Sequence, residues 1–242
     1  MYNILISCGS ALLTFILLKF ALGLHWGIAL LAALVLFAAI FYFLSRYIMK
    51  KVTAIMDLAT KDLQAQRVEK AIRELKDAFR YAKWQIWLDG QINSQIGSIY
   101  YMRRDFSNAF PYLEKGFFKN WVAMGMLAVS YMKRNKNDKM RATFDKAVQT
   151  SPKEPLLWSL YAYCLCEIGD NSGAKGILEK GLKKLPGNEA MKGNLGLLEE
   201  GKKMKMRQFG DMWLQFHLES IGALQKHQMA AMGGAKRRVI RK

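Results

Sequence analysis

Acidic side chains are absent from residues 1–45, and Lys19 is the only basic one there, so this stretch lacks the charge needed for a hydrated surface. The other 197 residues hold 36 Lys and Arg against 19 Asp and Glu, which sets a basic, water-soluble body behind an apolar head. Cysteine is nearly absent. Cys8 lies in the head, and Cys164 and Cys166, two apart on one predicted helix, point to different faces, so no disulfide framework exists. The three histidines are His25, His217 and His227; the last two fall on different faces of one helix, which leaves no metal-ligating set. The chain shows no Gly-rich phosphate loop, no Ser/His/Asp arrangement that can be placed and no paired carboxylates on one face. Glu199 and Glu200 are adjacent and diverge. These absences argue against an enzyme and against a bound cofactor. Proline is confined to positions 111, 152, 155 and 186 and β-branched runs are few, so nothing obstructs helix from Arg46 onward.

What the head does contain is two apolar stretches. Ile4–Leu22 is interrupted only by Lys19, and Trp26–Leu44 is 19 residues without a charge. As a helix that second stretch is about 28 Å long, enough to cross a hydrocarbon core. Residues 23–27 leave room only for a tight hairpin. Lys19 can snorkel to the headgroups, and Trp26 and Tyr47 suit the interface. A cleaved signal peptide is the alternative, since Ala21-Leu22-Gly23 has the small-x-small pattern. Against it stand the uncharged first residues, the position of Lys19 and the second apolar span. Arg46, Lys50 and Lys51 follow span two directly. The positive-inside rule then places both termini and the body on the cytoplasmic side of the membrane, behind a two-span anchor over residues 1–48.

In the body, Ala147 is answered by Gly181 and Pro152 by Pro186, each 34 residues on. That period marks a helix-turn-helix solenoid whose units must stack to bury their apolar faces. Residues 155–188 place Trp158, Tyr161, Ala162, Leu165, Ala174, Leu178, Gly181 and Pro186 where two antiparallel helices would face each other. Residues 121–154 repeat the pattern with Leu127, Ala128, Tyr131, Phe144, Ala147 and Pro152, departing at Met140. Residues 90–120 do so with Ile96, Gly97, Tyr100, Ala109, Leu113 and Gly116, without the terminal Pro and with Asn93 at an apolar site. A weaker unit over 52–85 uses Ile55, Leu58, Ala59, Ala71, Leu75 and Ala78, with Asp62 at an aromatic or Leu position. This pattern resembles the tetratricopeptide repeat, with Gly in place of Ala at the third small site. The layout of two spans and cytoplasmic repeats is similar to bacterial inner-membrane repeat proteins such as the HemY family. The expected fold is all-α: a transmembrane hairpin, a short tetratricopeptide-like α-solenoid over 49–188, capping and amphipathic helices over 189–232, and a basic tail at 233–242.

The resemblance implies that the first helix of each pair lines a concave groove. Carried onto this chain, its positions are Gln91, Ser94, Ser98, Tyr101 and Met102, then Val122, Gly125, Val129, Met132 and Lys133, then Leu156, Ser159, Tyr163, Cys166 and Glu167. One Lys and one Glu cannot form a carboxylate clamp. Tyr101, Met102, Val129, Met132, Lys133, Leu156, Tyr163 and Cys166 instead suit an amphipathic helix or an extended apolar peptide of a partner protein. The same surface also reads as plain core, covered by the chain's own C-terminal helix. Residues 207–230 would carry Asp211, Gln215, Glu219 and Lys226 on one narrow stripe, with Phe209, Met212, Trp213 and Phe216 on one flank and Leu214, Leu218 and Ile221 on the other. That helix must be covered by the solenoid, a second copy in a homo-oligomer, a partner or the bilayer surface.

Basic residues cluster at Lys202, Lys203, Lys205 and Arg207 and again at Lys236, Arg237, Arg238, Arg241 and Lys242. For a tethered body they fit anionic headgroups or an acidic partner, at about 1 kcal/mol per basic residue near the surface. Nucleic acid would ask for interleaved aromatics, which the tail lacks. The sequence therefore reads as a membrane-anchored interaction scaffold, with a nucleic-acid- or ribosome-associated membrane protein as the alternative.

Overall fold

The structure, a computed structural model, describes residues 1–219. Among them every regular element is helical. Contacts divide the chain into two compact units, one of Met1–Ile99 with Asn108–Ala123 and one of Tyr100–Ser107 with the chain from Met124 onward.

The first unit opens with α1 (Tyr2–Ile16), continued by a π-helical stretch over Leu17–Ala21, and α2 (Trp26–Gln64). Both are long and apolar enough to cross a membrane, with mean hydropathy 2.1 and 2.7 over an 18-residue stretch of each. The His25 ring starts α2 by accepting from the Gly27 amide at 3.3 Å. Leu5, Leu12, Leu31 and Phe43 are exposed, whereas Ala29 and Ala33 are buried where the two helices meet, as small residues at a close helix crossing should be. Asn3 Nδ2 donates to Ser45 Oγ at 3.4 Å, so the helices run antiparallel and the start of α1 lies level with residue 45. The boundary expected at residue 48 falls inside α2. Neither Gly nor Pro occurs between Gly27 and Gln64, so nothing ends the helix where its apolar run stops, and it continues as the first helix of the 52–85 window.

There α2 packs on α3 (Val68–Asp77) through Ala59, Ala71 and Leu75, while Leu58 stays exposed. Asp62, out of place by pattern, is buried beside Arg67 Nε at 3.0 Å and Lys70 Nζ at 3.1 Å. The hydrogen bond and charge of Lys70, with the charge of Arg67, hold its carboxyl below the usual range. A buried carboxylate is tolerated because it is paired at once by the turn that follows it. Helix α4 (Leu88–Met102) begins ahead of the window that opens at 90, and α5 (Phe106–Glu114) follows. A Cβ on Gly97 would come within 2.9 Å of Leu113, which explains the small residue there. Asn93 is satisfied by donating to the Asp89 carbonyl at 2.9 Å.

The second unit contains α7 (Asn137–Thr150), α8 (Pro155–Glu167), α9 (Asn171–Lys184), α10 (Glu189–Glu199) and most of α6 (Trp121–Lys133). Helix α8 is apolar all round and buried on nearly every face. Phe144 of α7 stacks on Tyr161 of α8 with ring centres 4.7 Å apart. Ala162 and Ala174 are both fully buried between α8 and α9. Position 181 has room only for glycine, because a Cβ there would strike Met191 and lie 2.8 Å from Trp158. Asp170 starts α9 by accepting from the Gly173 amide at 2.8 Å and pairs with Arg141 at 2.9 Å.

Beyond α10 the expected continuous helix from residue 207 is not found. The chain forms a 3₁₀ turn over Met206–Phe209, reverses at Gly210 (φ 60°, ψ −143°), and makes the four-residue α11 (Asp211–Leu214). Gly210 adopts a backbone that a helix cannot contain, and Trp213 and Phe216 are buried, Trp213 against α8 and Phe216 against α6 and α8, rather than presented on one helical stripe. Residues 220–230 of that expected helix, and the basic tail at Lys236, Arg237, Arg238, Arg241 and Lys242, lie outside the described residues.

Candidate functional site

The second unit carries all eight groove residues singled out from sequence. Tyr101 and Met102 end α4; Val129, Met132 and Lys133 lie on α6; Leu156, Tyr163 and Cys166 lie on α8. Val129 and Leu156 are buried, Met132 is half-buried, and Met102 and Lys133 are exposed. What covers much of this surface is the chain's own segment 213–217.

Trp213 stands edge-on to Tyr163 with ring centres 4.9 Å apart and is buried. Phe216 is wholly buried and lies over Gly125 of α6, where a Cβ would be 2.9 Å from its Cε1 and 3.0 Å from Leu160 Cδ2. Glycine at 125 thus makes the seat for the ring. Tyr101 holds the segment by its backbone, donating from its hydroxyl to the Phe216 carbonyl at 2.9 Å. His217 stacks on Tyr101, ring centres 5.7 Å apart, and meets the edge of Phe106 at 5.9 Å. Its Nε2 lies 3.2 Å from the Met102 carbonyl, and since a carbonyl only accepts, Nε2 carries the proton. One aromatic residue fills each position, and two hydrogen bonds fix the main chain and the imidazole.

Electrostatics favour neutral groups here. Burial pushes the Tyr101 hydroxyl up, with a smaller effect of Cys164, so it stays a donor. Burial and neighbouring Glu167 raise Tyr163 and Cys166, which disfavours the Cys166 thiolate. Burial first, then Arg104, lowers His217 below 6.5, and the Met102 carbonyl partly opposes them. Ser159 Oγ is buried without a hydrogen-bond partner.

Beside the docked segment opens a cavity of about 790 Å³ bordered by Tyr163, Cys166 and Trp213 on one side and by Lys202, Lys203, Lys205 and Arg207 on the other. Two of the groove residues, Tyr163 and Cys166, and the first basic cluster read from sequence therefore line one cavity. Two of the four cations are already paired, Lys202 with Glu200 at 2.6 Å and Arg207 with Glu219 at 3.0 Å. Glu219 also accepts from Trp213 Nε1 at 2.9 Å, which ties the indole to the basic edge. The basic loop is anchored on α10, where buried Asn194 accepts from the Lys205 amide at 2.8 Å and donates toward Met206 sulfur at 3.8 Å.

Comparison of the chain with protein-family models, curated proteins and solved structures gives no match. The site must therefore be understood from its own chemistry. Sequence reasoning singled out Tyr101, Tyr163, Trp213 and Phe216 but passed over Phe106, Leu160 and His217. Gly125 appeared only as a groove position, although a glycine inside the apolar run Val122–Val129 is itself the signal of a close approach.

Proposed function

We propose that this protein is a membrane-anchored scaffold of the tetratricopeptide-repeat type, which holds a protein partner at the cytoplasmic face of the inner membrane through an apolar groove on α6 and α8. The two long apolar N-terminal helices support the anchor, and the small-residue contacts at Ala162, Ala174 and Gly181 support the repeat packing. One observation carries the reading. The segment 213–217 occupies the surface as a bound peptide would, with two aromatic side chains in formed seats and its main chain held by Tyr101. A partner that presents an aromatic pair at the same spacing would use those seats and would have to displace the segment. The basic residues serve lipid headgroups or an acidic flank of that partner. Catalysis plays no part in this reading.

A fluorescent peptide of residues 206–219 tests it. Tethering gives the chain's own segment an effective concentration in the millimolar range, so full-length protein should bind the free peptide about 10²–10⁴-fold more weakly than a chain ending at Lys205. Tyr163→Ala should weaken binding to the shortened chain. Equal binding to both lengths, or none to the shortened chain, would sink the groove reading.

A further inference from the structure

We propose that the loop Lys83–Trp87, joined by Phe117–Phe118, is a second membrane contact: an aromatic edge set into the headgroup region of the bilayer that the N-terminal hairpin crosses. The proposal rests on the anchor reading and adds to it a surface outside the hairpin.

Position is the first argument. The loop is bonded to the residue at which α1 begins: the Tyr2 amide donates to the Lys83 carbonyl at 3.0 Å, the Tyr2 and Trp84 rings meet edge-on at 5.3 Å, and Asn3 Nδ2 donates to Gln85 Oε1 at 3.2 Å. The same Asn3 reaches Ser45. Tyr2, Ser45 and the loop therefore lie at one level, which is where the apolar run of α2 gives way to Arg46, Tyr47, Lys50 and Lys51. A loop fixed at that level meets the interface whenever the hairpin spans.

Chemistry is the second. Trp87 is 56 % exposed and Ile86 36 %, although both are large and apolar. Trp87 meets Phe118 edge-on at 5.2 Å and Phe117 at 6.0 Å, so the exposed indole belongs to a cluster. Lys119 lies 5.9 Å from the Phe118 ring centre, and Lys83 and Lys119 are exposed. Amphipathic rings with lysines beside them are what an anionic headgroup layer takes up, rings at the carbonyl level and ammonium groups among phosphates. Trp87 also has φ of 65°, a left-handed backbone unfavourable for a bulky residue, while its carbonyl accepts from the Gln91 amide at the start of α4. Strain of that kind at an exposed tryptophan points to a contact that the protein alone does not supply.

Nitroxide labels at Ile86→Cys, Leu12→Cys and Lys153→Cys, in the full chain with Cys8→Ser, Cys164→Ala and Cys166→Ser, would be compared in vesicles of phosphatidylcholine and phosphatidylglycerol. The ratio of collisions with oxygen to collisions with a water-soluble nickel chelate reads depth. The label at 86 should fall between the immersed value at 12 and the aqueous value at 153. An aqueous value at 86 with an immersed value at 12 overturns the loop contact and leaves the anchor standing. Shielding at 86 from both reagents also overturns it, because that is the signature of a second copy covering the loop. An aqueous value at 12 removes the anchor and the proposal together. Trp87→Gly, which accepts the left-handed backbone, should keep the helical content while shifting the label at 86 toward the aqueous value.

Discussion

The seat beneath Phe216 makes an unusual demand on α6, and Gly125→Ala measures it. In an exposed helix interior this change stabilises by about 1 kcal/mol, since alanine loses less backbone freedom on folding. Here the new methyl would sit 2.9 Å from Phe216 Cε1 and 3.0 Å from Leu160 Cδ2. Overpacking of that kind costs about 1–3 kcal/mol, so the net effect in the wild-type chain is a loss of up to about 2 kcal/mol. Removing the ring with Phe216→Ala takes away the first of those clashes, and the Leu160 methyl can rotate aside. In that background Gly125→Ala should be neutral or stabilising by up to about 1 kcal/mol. The two substitutions are thus expected to couple by about 1–2 kcal/mol, well above the 0.3–0.5 kcal/mol scatter of independent sites.

The assay is denaturant unfolding of the four full-length variants in one detergent, with hydrogen exchange of peptide 206–219 as a local readout. Phe216→Ala alone should speed exchange in that peptide, because the segment loses its ring seat while the Tyr101 bond is left to hold it. Additivity within about 0.5 kcal/mol would refute the seat. So would stabilisation of the wild-type chain by Gly125→Ala to the full helix-propensity value.

Two further outcomes follow from the same contacts. His217 is held below its ordinary pKa of 6.5 in the docked state, so docking should be at full strength above that value and weaken as pH falls through and below it. Hydrogen exchange of residues 206–219 across pH, corrected for intrinsic rates, reads this, and His217→Gln should flatten the profile. Ala162→Leu and Ala174→Leu each push a branched side chain into the fully buried contact between α8 and α9, and each should cost about 1–3 kcal/mol in the same unfolding assay. An unchanged midpoint for both would mean that α8 and α9 do not meet there.

The parts legible in the sequence are those where local chemistry and packing agree. Over 155–188 the small residues and Pro186 mark the same two helices, and α8 and α9 occupy those positions. Boundaries were harder where one composition hands over to another without a breaker. The apolar run of α2 stops near Leu44, but a change in polarity alone does not end a helix. The C-terminal segment failed differently. Its wheel pattern is real, yet Gly210 at positive φ outweighs it, and Trp213 and Phe216 are buried from a single turn rather than from a continuous helix face. Periodicity reports a shared face and cannot report that a single glycine will break the helix that would present it. Asp62 and Asn93 looked like defects because the partners that satisfy them, Lys70 and the Asp89 carbonyl, are found only once the turn and helix have formed.

Spacing alone also fails to separate two aromatic pairs of this chain whose second members have opposite fates, Phe216 buried and Trp87 exposed. Trp84 and Trp87 are three apart, as are Trp213 and Phe216. The second pair is buried because Gly125 removes a side chain and Tyr163 offers a ring edge. In the first, Trp84 is half-buried with its ring edge-on to Tyr2, but Trp87 has no such seat. Its loop is tied to Tyr2 and Asn3, and the backbone at Trp87 is held in a conformation that turns the indole outward next to Phe118. The exposure of Trp87 is therefore a consequence of how the loop is pinned, with the Trp87 carbonyl bonded to the Gln91 amide, and the bilayer proposed at the level of Tyr2 would cover the indole without rearrangement.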